Sequence, residues 1–402
     1  MLTRRFFLRA SAVAMAGVGV APAWLVRAAA QESRRRKILV AIFQRGAADG
    51  LNVVVPFFEK LYYDMRPTIA VPPPGKPNGA IDLDGRFGLH PSLAPLEPLW
   101  KDGHLAIVEA TGSPDPTRSH FDAQDFMESG TPGRLSADGW LNRALPAPVP
   151  GDSPLRAVAL GTQLPHTLRG DRPAVAVSNI EQFQVRNQQV SSVLETMYAT
   201  TADSKLKASG RETFEAVKML EAIGKEPYKP ANGAQYQGQF GQGLQQVARL
   251  IKANVGVEAA FADINGWDHH VNEAPQMTNL LQQFGGSLAA FVRDMGDRME
   301  DIVLVTMSEF GRTAREDGNA GTDHGHGNVM MALGGPVKGG QIYGQWPGLE
   351  REQLYEQRDL AVTTDFRAVL GELAHGHLGQ PVQRVFPGFA AGDSLGLLEN
   401  RG

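Results

Sequence analysis

The sequence predicts an α/β fold: a mostly parallel central sheet covered by helices on both faces, with a helical insertion over about 182–239. Two observations carry this expectation. Seven runs of strand length are almost continuously apolar, and a strand apolar on both faces belongs inside a covered sheet. Between several of them, apolar residues recur at helical spacing, so strand and helix alternate as they do around a parallel sheet. Ligands of such sheets sit beyond the carboxyl ends of the strands, and the polar clusters of this chain follow its strand-like runs.

The chain has 402 residues and opens Thr3-Arg4-Arg5-Phe6-Phe7-Leu8-Arg9, followed by the small apolar run Ala10 to Val20 and by Ala28-Ala29-Ala30. A basic head, an apolar middle and a small-residue end make residues 1–30 a signal peptide. Arg4-Arg5 directly before Phe-Phe-Leu fits the twin-arginine address, which directs folded proteins out of the cytoplasm. The mature chain, 31–402, is therefore expected to be one periplasmic or secreted α/β domain, with the twin-arginine translocase as its partner during export. The apolar run is far shorter than the ~20 residues that span a bilayer, and no later stretch reaches that length, so no transmembrane anchor is expected in the mature form. Loss of four arginines and no acid takes the formal charge from −4 to about −8, which argues against a nucleic-acid partner. The chain has no cysteine, so any metal site must be built from imidazole and carboxylate groups.

In order, the strand-like runs are Lys37 to Phe43, His104 to Ala110, Leu155 to Leu160, Ala174 to Val177, Val257 to Ala262, Ile302 to Met307 and Val329 to Leu333. Phe240, Leu244, Val247, Leu250 and Ile251 share one helix face, as do Leu281, Phe284, Leu288, Phe291 and Met295. Gln182 to Gln239 is polar, Gln-rich and helix-prone, an inserted segment and a candidate cap over the site. Pro72-Pro73-Pro74-Gly75 and Pro146 to Pro154 read as surface loops, and Gly334 to Gly340 as a tight turn without the spacing of a phosphate-cradling loop.

Candidate chemistry follows four of the strands. The first is followed by Arg45-Gly46-Ala47-Ala48-Asp49-Gly50, and the fifth by Gly266-Trp267-Asp268-His269-His270. Ser308-Glu309-Phe310-Gly311-Arg312-Thr313 and then Gly321-Thr322-Asp323-His324-Gly325-His326 follow the sixth. These segments supply carboxylates and four of the ten histidines, the donors that zinc, manganese, magnesium or calcium would require in a sulfur-free protein. The expected metal ligands are Asp49, Asp268, His270, Glu309, Asp323, His324 and His326, with His269 an alternative to His270. After the second strand comes Arg118-Ser119-His120-Phe121, where a helix beginning near Ser119 would set that hydroxyl at a positive helix terminus. An ordinary N-cap is the competing reading, and Thr117 is the second choice of nucleophile. His90, His104, His166, His375 and His377 have no comparable company and are read as ordinary histidines.

Arg45-Gly-Ala-Ala-Asp49-Gly-Leu-Asn52, Arg118-Ser119-His120-Phe121, Gly266-Trp-Asp268-His-His270, Ser308-Glu309-Phe-Gly-Arg312-Thr313, Gly321-Thr-Asp323-His324-Gly and Val337-Lys338-Gly-Gly together resemble the exported bacterial domain-of-unknown-function family fifteen-oh-one. That family falls within the alkaline phosphatase and sulfatase-like superfamily. The resemblance implies an alkaline phosphatase-like fold, one or two divalent metal ions, and Asp49, Ser119, Asp268 and His270 in places analogous to the superfamily's ligands and nucleophile. Ser308-Glu309-Phe310 stands where the superfamily often has Asp-His, which puts a second ion in doubt. Pro114 stands two residues before Pro116-Thr117-Arg118, where a formylglycine sulfatase needs cysteine or serine.

The resulting expectation is an exported metal-dependent hydrolase of phosphate or related esters, acting on a small anionic ester or envelope-derived ligand. Ser119 would attack, and Arg45, Arg118 or Arg312 would hold anionic oxygens. The alternatives are a non-catalytic binding or assembly protein that keeps the fold, and a sulfatase lacking formylglycine.

Overall fold

The computed structural model describes residues 36–149, 152–180, 195–201 and 203–399. Residues 1–35, which include the expected export signal, and residues 181–194 of the insertion lie outside the described residues. Among those described, no helix is long and apolar enough to cross a membrane.

All seven apolar runs become strands of one sheet. They are β1 (Ile38–Arg45), β2 (Leu105–Gly112), β3 (Ala157–Leu160), β4 (Val175–Val177), β5 (Ala259–Asn265), β6 (Ile302–Met307) and β7 (Asn328–Gly334), joined by the short β8 (Gln341–Tyr343) and β9 (Thr364–Asp365). Their order is β8-β2-β7-β6-β1-β5-β3-β4, with β9 also on β2. Every pairing is parallel except the two made by β7, which is antiparallel to β6 and to β2. The fold is thus α/β with a mostly parallel central sheet.

The period of two along β1 shows why its run is continuously apolar. Val40 and Ile42 enter one core, while Leu39, Ala41 and Phe43 enter the other. The first core is closed by α3 (Gly238–Lys252) and α4 (Glu273–Met295). On the opposite face lie α1 (His120–Ser129) and α5 (Phe366–Gly376), through Met127, Phe366, Val369, Leu370 and Leu373. Phe240, Leu244, Val247 and Leu250 of α3, and Leu281, Phe284, Leu288 and Phe291 of α4, are all in the first core, as their spacing predicts.

Between these helices lies α2 (Ser204–Gly224), the longest described helix of the insertion. Its Ala216, Met219 and Leu220 join the first core. Arg211, Glu212 and Glu215 line a cavity of about 350 Å³ with Asp152, Ser153, Pro154 and Pro173, residues that precede β3 and β4. That is the amino-terminal end of the sheet, so this helix does not cover the polar clusters as a cap would.

The antiparallel β7 has a direct consequence for the site. Because the chain turns back from β6 into β7, residues 308–327 stay at the end of the sheet where β1, β5 and β6 finish. Asn328 at the start of β7 pairs with Thr111 near the end of β2. Four polar segments from four strands therefore meet at one end.

Away from that end, α3, α4 and the loop between α2 and α3 are tied together by Asp294. Its carboxylate accepts from Tyr228 Oη at 2.6 Å, Tyr236 Oη at 2.8 Å and the Ala231 amide at 2.6 Å, and pairs with Lys252. Burial opposes its charge, but the bonds from Lys252, Tyr228, Ala231 and Tyr236 win and hold the carboxyl below its ordinary range. A group with a depressed folded pKa stabilises the protein above the unfolded value and loses that contribution as pH falls through the folded one. Asp294→Asn is expected to cost about 2–3 kcal/mol in urea unfolding at pH 7. The difference from wild type should shrink as the pH is lowered below the ordinary carboxylate range.

Candidate metal centre

The loop after β5 is fixed before its polar groups come into play. Trp267 is fully buried, packs edge-on to Phe284 of α4 at 5.8 Å, and donates Nε1–H to the Ile264 carbonyl at 3.1 Å. Its amide donates to the Arg45 carbonyl at 3.3 Å, so the loops after β1 and β5 run side by side. Gly46, at φ +114°, makes that approach possible: a Cβ there would lie 2.7 Å from the Asp268 amide nitrogen. Asp268 and His270 project beyond this anchor. In the returning loop, a Cβ on Gly325 would lie 2.3 Å from the Arg312 carbonyl, so glycine lets the His324 segment fold back on Arg312.

Three imidazole nitrogens and one carboxylate converge there. His324 Nε2 lies 3.0 Å from His120 Nε2 and 3.1 Å from His270 Nε2. Asp268 Oδ1 is 2.9 Å from His270 Nε2 and 3.3 Å from His324 Nε2, and Oδ2 is 3.5 Å from His120 Nε2. Asp323 stands at the margin, 3.9 Å from His270 Nδ1. His120, Asp268 and His324 form one group able to hold an ion, and His270, Asp323 and His324 an overlapping second.

The outer nitrogens decide what fits between the inner ones. His120 Nδ1 meets Glu309 Oε1 at 2.9 Å, and His324 Nδ1 meets the Arg118 carbonyl at 3.0 Å. Both partners accept only, so each Nδ1 carries the proton, and the neutral ring turns its Nε2 lone pair inward. Two lone pairs facing each other at 3.0 Å repel unless a cation lies between them. This is the arrangement in which metal-bound histidines are held by an outer carboxylate or carbonyl. A proton on His120 can take the cation's place. Accordingly the hydrogen bond to Glu309 raises the His120 pKa, whereas burial and then the neighbouring His120 charge lower that of His324.

Glu309 stands behind the His120 ring, at its Nδ1, rather than among the facing Nε2 atoms. It is buried, and its Oε1 also accepts from the Gly46 amide at 2.8 Å and from Gln124 Nε2 at 2.8 Å. Burial opposes its ionisation, but the bonds led by His120 keep it below the ordinary range. Arg312 is fully buried and donates Nη1–H to Asp268 Oδ1 at 2.8 Å, fixing that carboxylate and lowering its pKa against the effect of burial.

Two expected ligands lie elsewhere. Asp49 is paired on both oxygens with the buried Arg66, whose Nη2 reaches Oδ1 at 2.9 Å. That arginine, 17 residues along the chain, takes the lone pairs a metal would need. His326 stacks on Tyr355 at 4.2 Å and belongs to neither ligand group. His269 is buried, whereas His270 is the one of the two whose Nε2 reaches the cluster. His120 was missing from the expected ligands; its one signal was the Arg118-Ser119-His120-Phe121 motif at a helix start.

Ser119 is the N-cap of α1, its Oγ accepting weakly from the Asp122 amide at 3.5 Å, and Thr117 Oγ1 accepts from the Ser119 amide at 3.2 Å. The three arginines all have carboxylate partners. Arg45 pairs with Glu128 at 2.9 Å and Asp263 at 2.8 Å, Arg118 with Asp359 at 2.6 Å and Glu356 at 2.7 Å, and Arg312 with Asp268.

If Glu309 orients His120, Glu309→Gln should weaken zinc binding by about 10–100-fold with the fold intact, and His326→Ala should leave it within twofold. Competition with a chromophoric chelator measures both. Equal losses in the two variants would contradict this assignment.

No curated protein matches the chain. Among solved structures it is similar to the C-terminal periplasmic domain of EcEptC from Escherichia coli in complex with Zn, at 9% identity over 75% of this chain and 73% of that one, TM-score 0.35. It is also similar to the PsFucS1 sulfatase from Pseudoalteromonas sp., at 11% identity over 95% and 77%, TM-score 0.38. A mutant of TAB5 alkaline phosphatase with Mg bound shows 9% identity over 74% and 90%, TM-score 0.30. A family model described as "Protein of unknown function (DUF1501)" matches residues 103–385. That span runs from the start of β2 past α5 and contains His120, Asp268, His270, Glu309 and His324, and the chain belongs to this family.

Proposed function

We propose that the chain is an exported metal-dependent hydrolase of phosphate or related esters, with His120, Asp268, His270 and His324 holding a divalent ion. The supporting observation is the convergence of three Nε2 atoms on one carboxylate, with two of the lone pairs turned inward by Glu309 and the Arg118 carbonyl. Three nitrogens and one oxygen suit zinc or a similar borderline ion. Such an ion supplies positive charge that stabilises the negative charge building on an ester's oxygens.

The chain's own residues do the rest. Ser119 directly precedes His120 at the amino end of α1, ten residues long, and its cap contact is long; its hydroxyl is the proposed nucleophile, whose oxygen would bond the ester's phosphorus or sulfur as the alcohol leaves with the proton, after which water would cleave the serine ester and restore the hydroxyl. Arg312, through Asp268, and Glu309, through His120, hold the ligands in place. Export rests on the sequence of residues 1–30, and the mature chain is proposed to work in the periplasm or outside the cell.

A second reading, a binding or assembly protein without turnover, draws on the carboxylates that already occupy Arg45, Arg118 and Arg312. Elemental analysis after dialysis, followed by assays on aryl phosphates and aryl sulfates, separates the two. For the hydrolase, about one ion per chain, release from at least one ester class, and a loss of about 100-fold or more in kcat for Ser119→Ala with metal retained are expected. A metal-bearing chain that turns over neither class would favour the binding protein; a folded chain without metal would sink the hydrolase reading.

A further inference from the structure

Of the three candidate arginines, exposure singles out one. Arg312 is fully buried on the Asp268 carboxylate, and Arg45 shares Glu128, which is 8% exposed, and Asp263, which is 35% exposed. Arg118 differs. One partner, Asp359, is fully buried, but the other, Glu356, is 54% exposed. An exposed ion pair contributes little net stability, so a competing anion displaces Glu356 at little cost while Asp359 keeps the arginine in place.

A second guanidinium stands beside it. Arg358 donates Nε–H to the other oxygen of Asp359 at 2.9 Å, is 40% exposed, and bonds the His324 carbonyl through Nη2. Arg118 and Arg358 thus share one buried carboxylate, and both hold His324, one through its ring and the other through its backbone. Glu356 and Gln357 between them have φ of +52° and +57°. Two successive non-glycine residues in the left-handed region carry strain, which persists where surrounding contacts enforce it. Here the Tyr355–Asp359 bridge, with backbone bonds in both directions at 2.8 and 3.0 Å, enforces it.

We infer that Arg118 and Arg358 form an anion subsite beside the histidine cluster, that Glu356 occupies it in the free protein, and that the substrate carries a second anionic group that displaces Glu356. This deepens the hydrolase reading, and it names a substrate class: esters with two neighbouring anionic groups rather than one. The donors are arginine N–H groups in a fixed fork, suited to phosphate or carboxylate oxygens.

Inorganic pyrophosphate and orthophosphate are the probes, titrated calorimetrically into the mature chain with and without zinc. Glu356→Gln should tighten pyrophosphate about three- to tenfold, and Arg358→Met should weaken it about tenfold, with orthophosphate moving less than twofold in the zinc-loaded protein. Glu352→Gln removes the same charge nearby and controls for bulk electrostatics. Equal tightening of both anions, an equal effect of Glu352→Gln, or no response to Glu356→Gln would each overturn the subsite. Because its donors are arginines, the Glu356 effect on pyrophosphate should persist without zinc. A chain that binds no zinc yet shows that effect would retire the metal reading and leave the subsite standing.

Discussion

The site depends on keeping Asp268 still, and a buried chain of hydrogen bonds does this. Arg312 holds Asp268 and donates to Thr322 through Nε at 3.1 Å and through Nη2 at 2.5 Å. Thr322 Oγ1 donates to Glu273 at 2.8 Å, and the other oxygen of Glu273 accepts from Asn52 at 3.2 Å. Asn52 Oδ1 accepts from Arg66, which grips Asp49. Burial, and then the charge of Asp49, push the Glu273 carboxyl well above its ordinary pKa. The network sets two guanidiniums against the carboxylates of Asp49 and Asp268, while the upward shift of Glu273 opposes a third negative charge between them. Such a balance is needed where each unpaired buried charge would cost several kcal/mol. Asp49 is therefore a scaffold residue.

The network also explains why the side chains of the cluster come from separate strands yet meet within hydrogen-bond distance. Each segment is fixed by an interaction outside the cluster: Trp267 in the core for the β5 loop, Asp49–Arg66 for the β1 loop, Met127 in the core for α1, and the Arg312–Thr322 contact for the loop into β7. Phe310 lies against the rings of His120 and His324 at 5.0 and 5.1 Å. It limits how far either can rotate. The histidines are then left with inward lone pairs and little freedom to avoid one another.

Much of this was legible in the sequence, because burial leaves a local signature. Seven apolar runs marked seven strands, since all but the half-buried edge strand β4 are covered on both faces; β8 and β9, three and two residues long around β2, leave no such run. The antiparallel sense of β7 was not legible, since its run Val329 to Leu333 is as apolar as the parallel ones and direction is a long-range property. His270 and His324 stood among acids and glycines, and the structure brings both to the cluster. His120 lay among Ser, Phe and Asp, where nothing local marks a ligand, and its partners Glu309 and His324 are 189 and 204 residues away. Asp49 misled for the same reason reversed: it sits where ligands sit, and its arginine occupies an unremarkable loop.

The most direct test of the account is the position of the ion. Crystals of the mature chain grown with zinc, measured at the zinc absorption edge, should show one anomalous peak about 2.0–2.1 Å from Nε2 of His120, His270 and His324, with an Asp268 oxygen completing the set. A peak at Asp49 and Glu273, or at surface histidines alone, would contradict it.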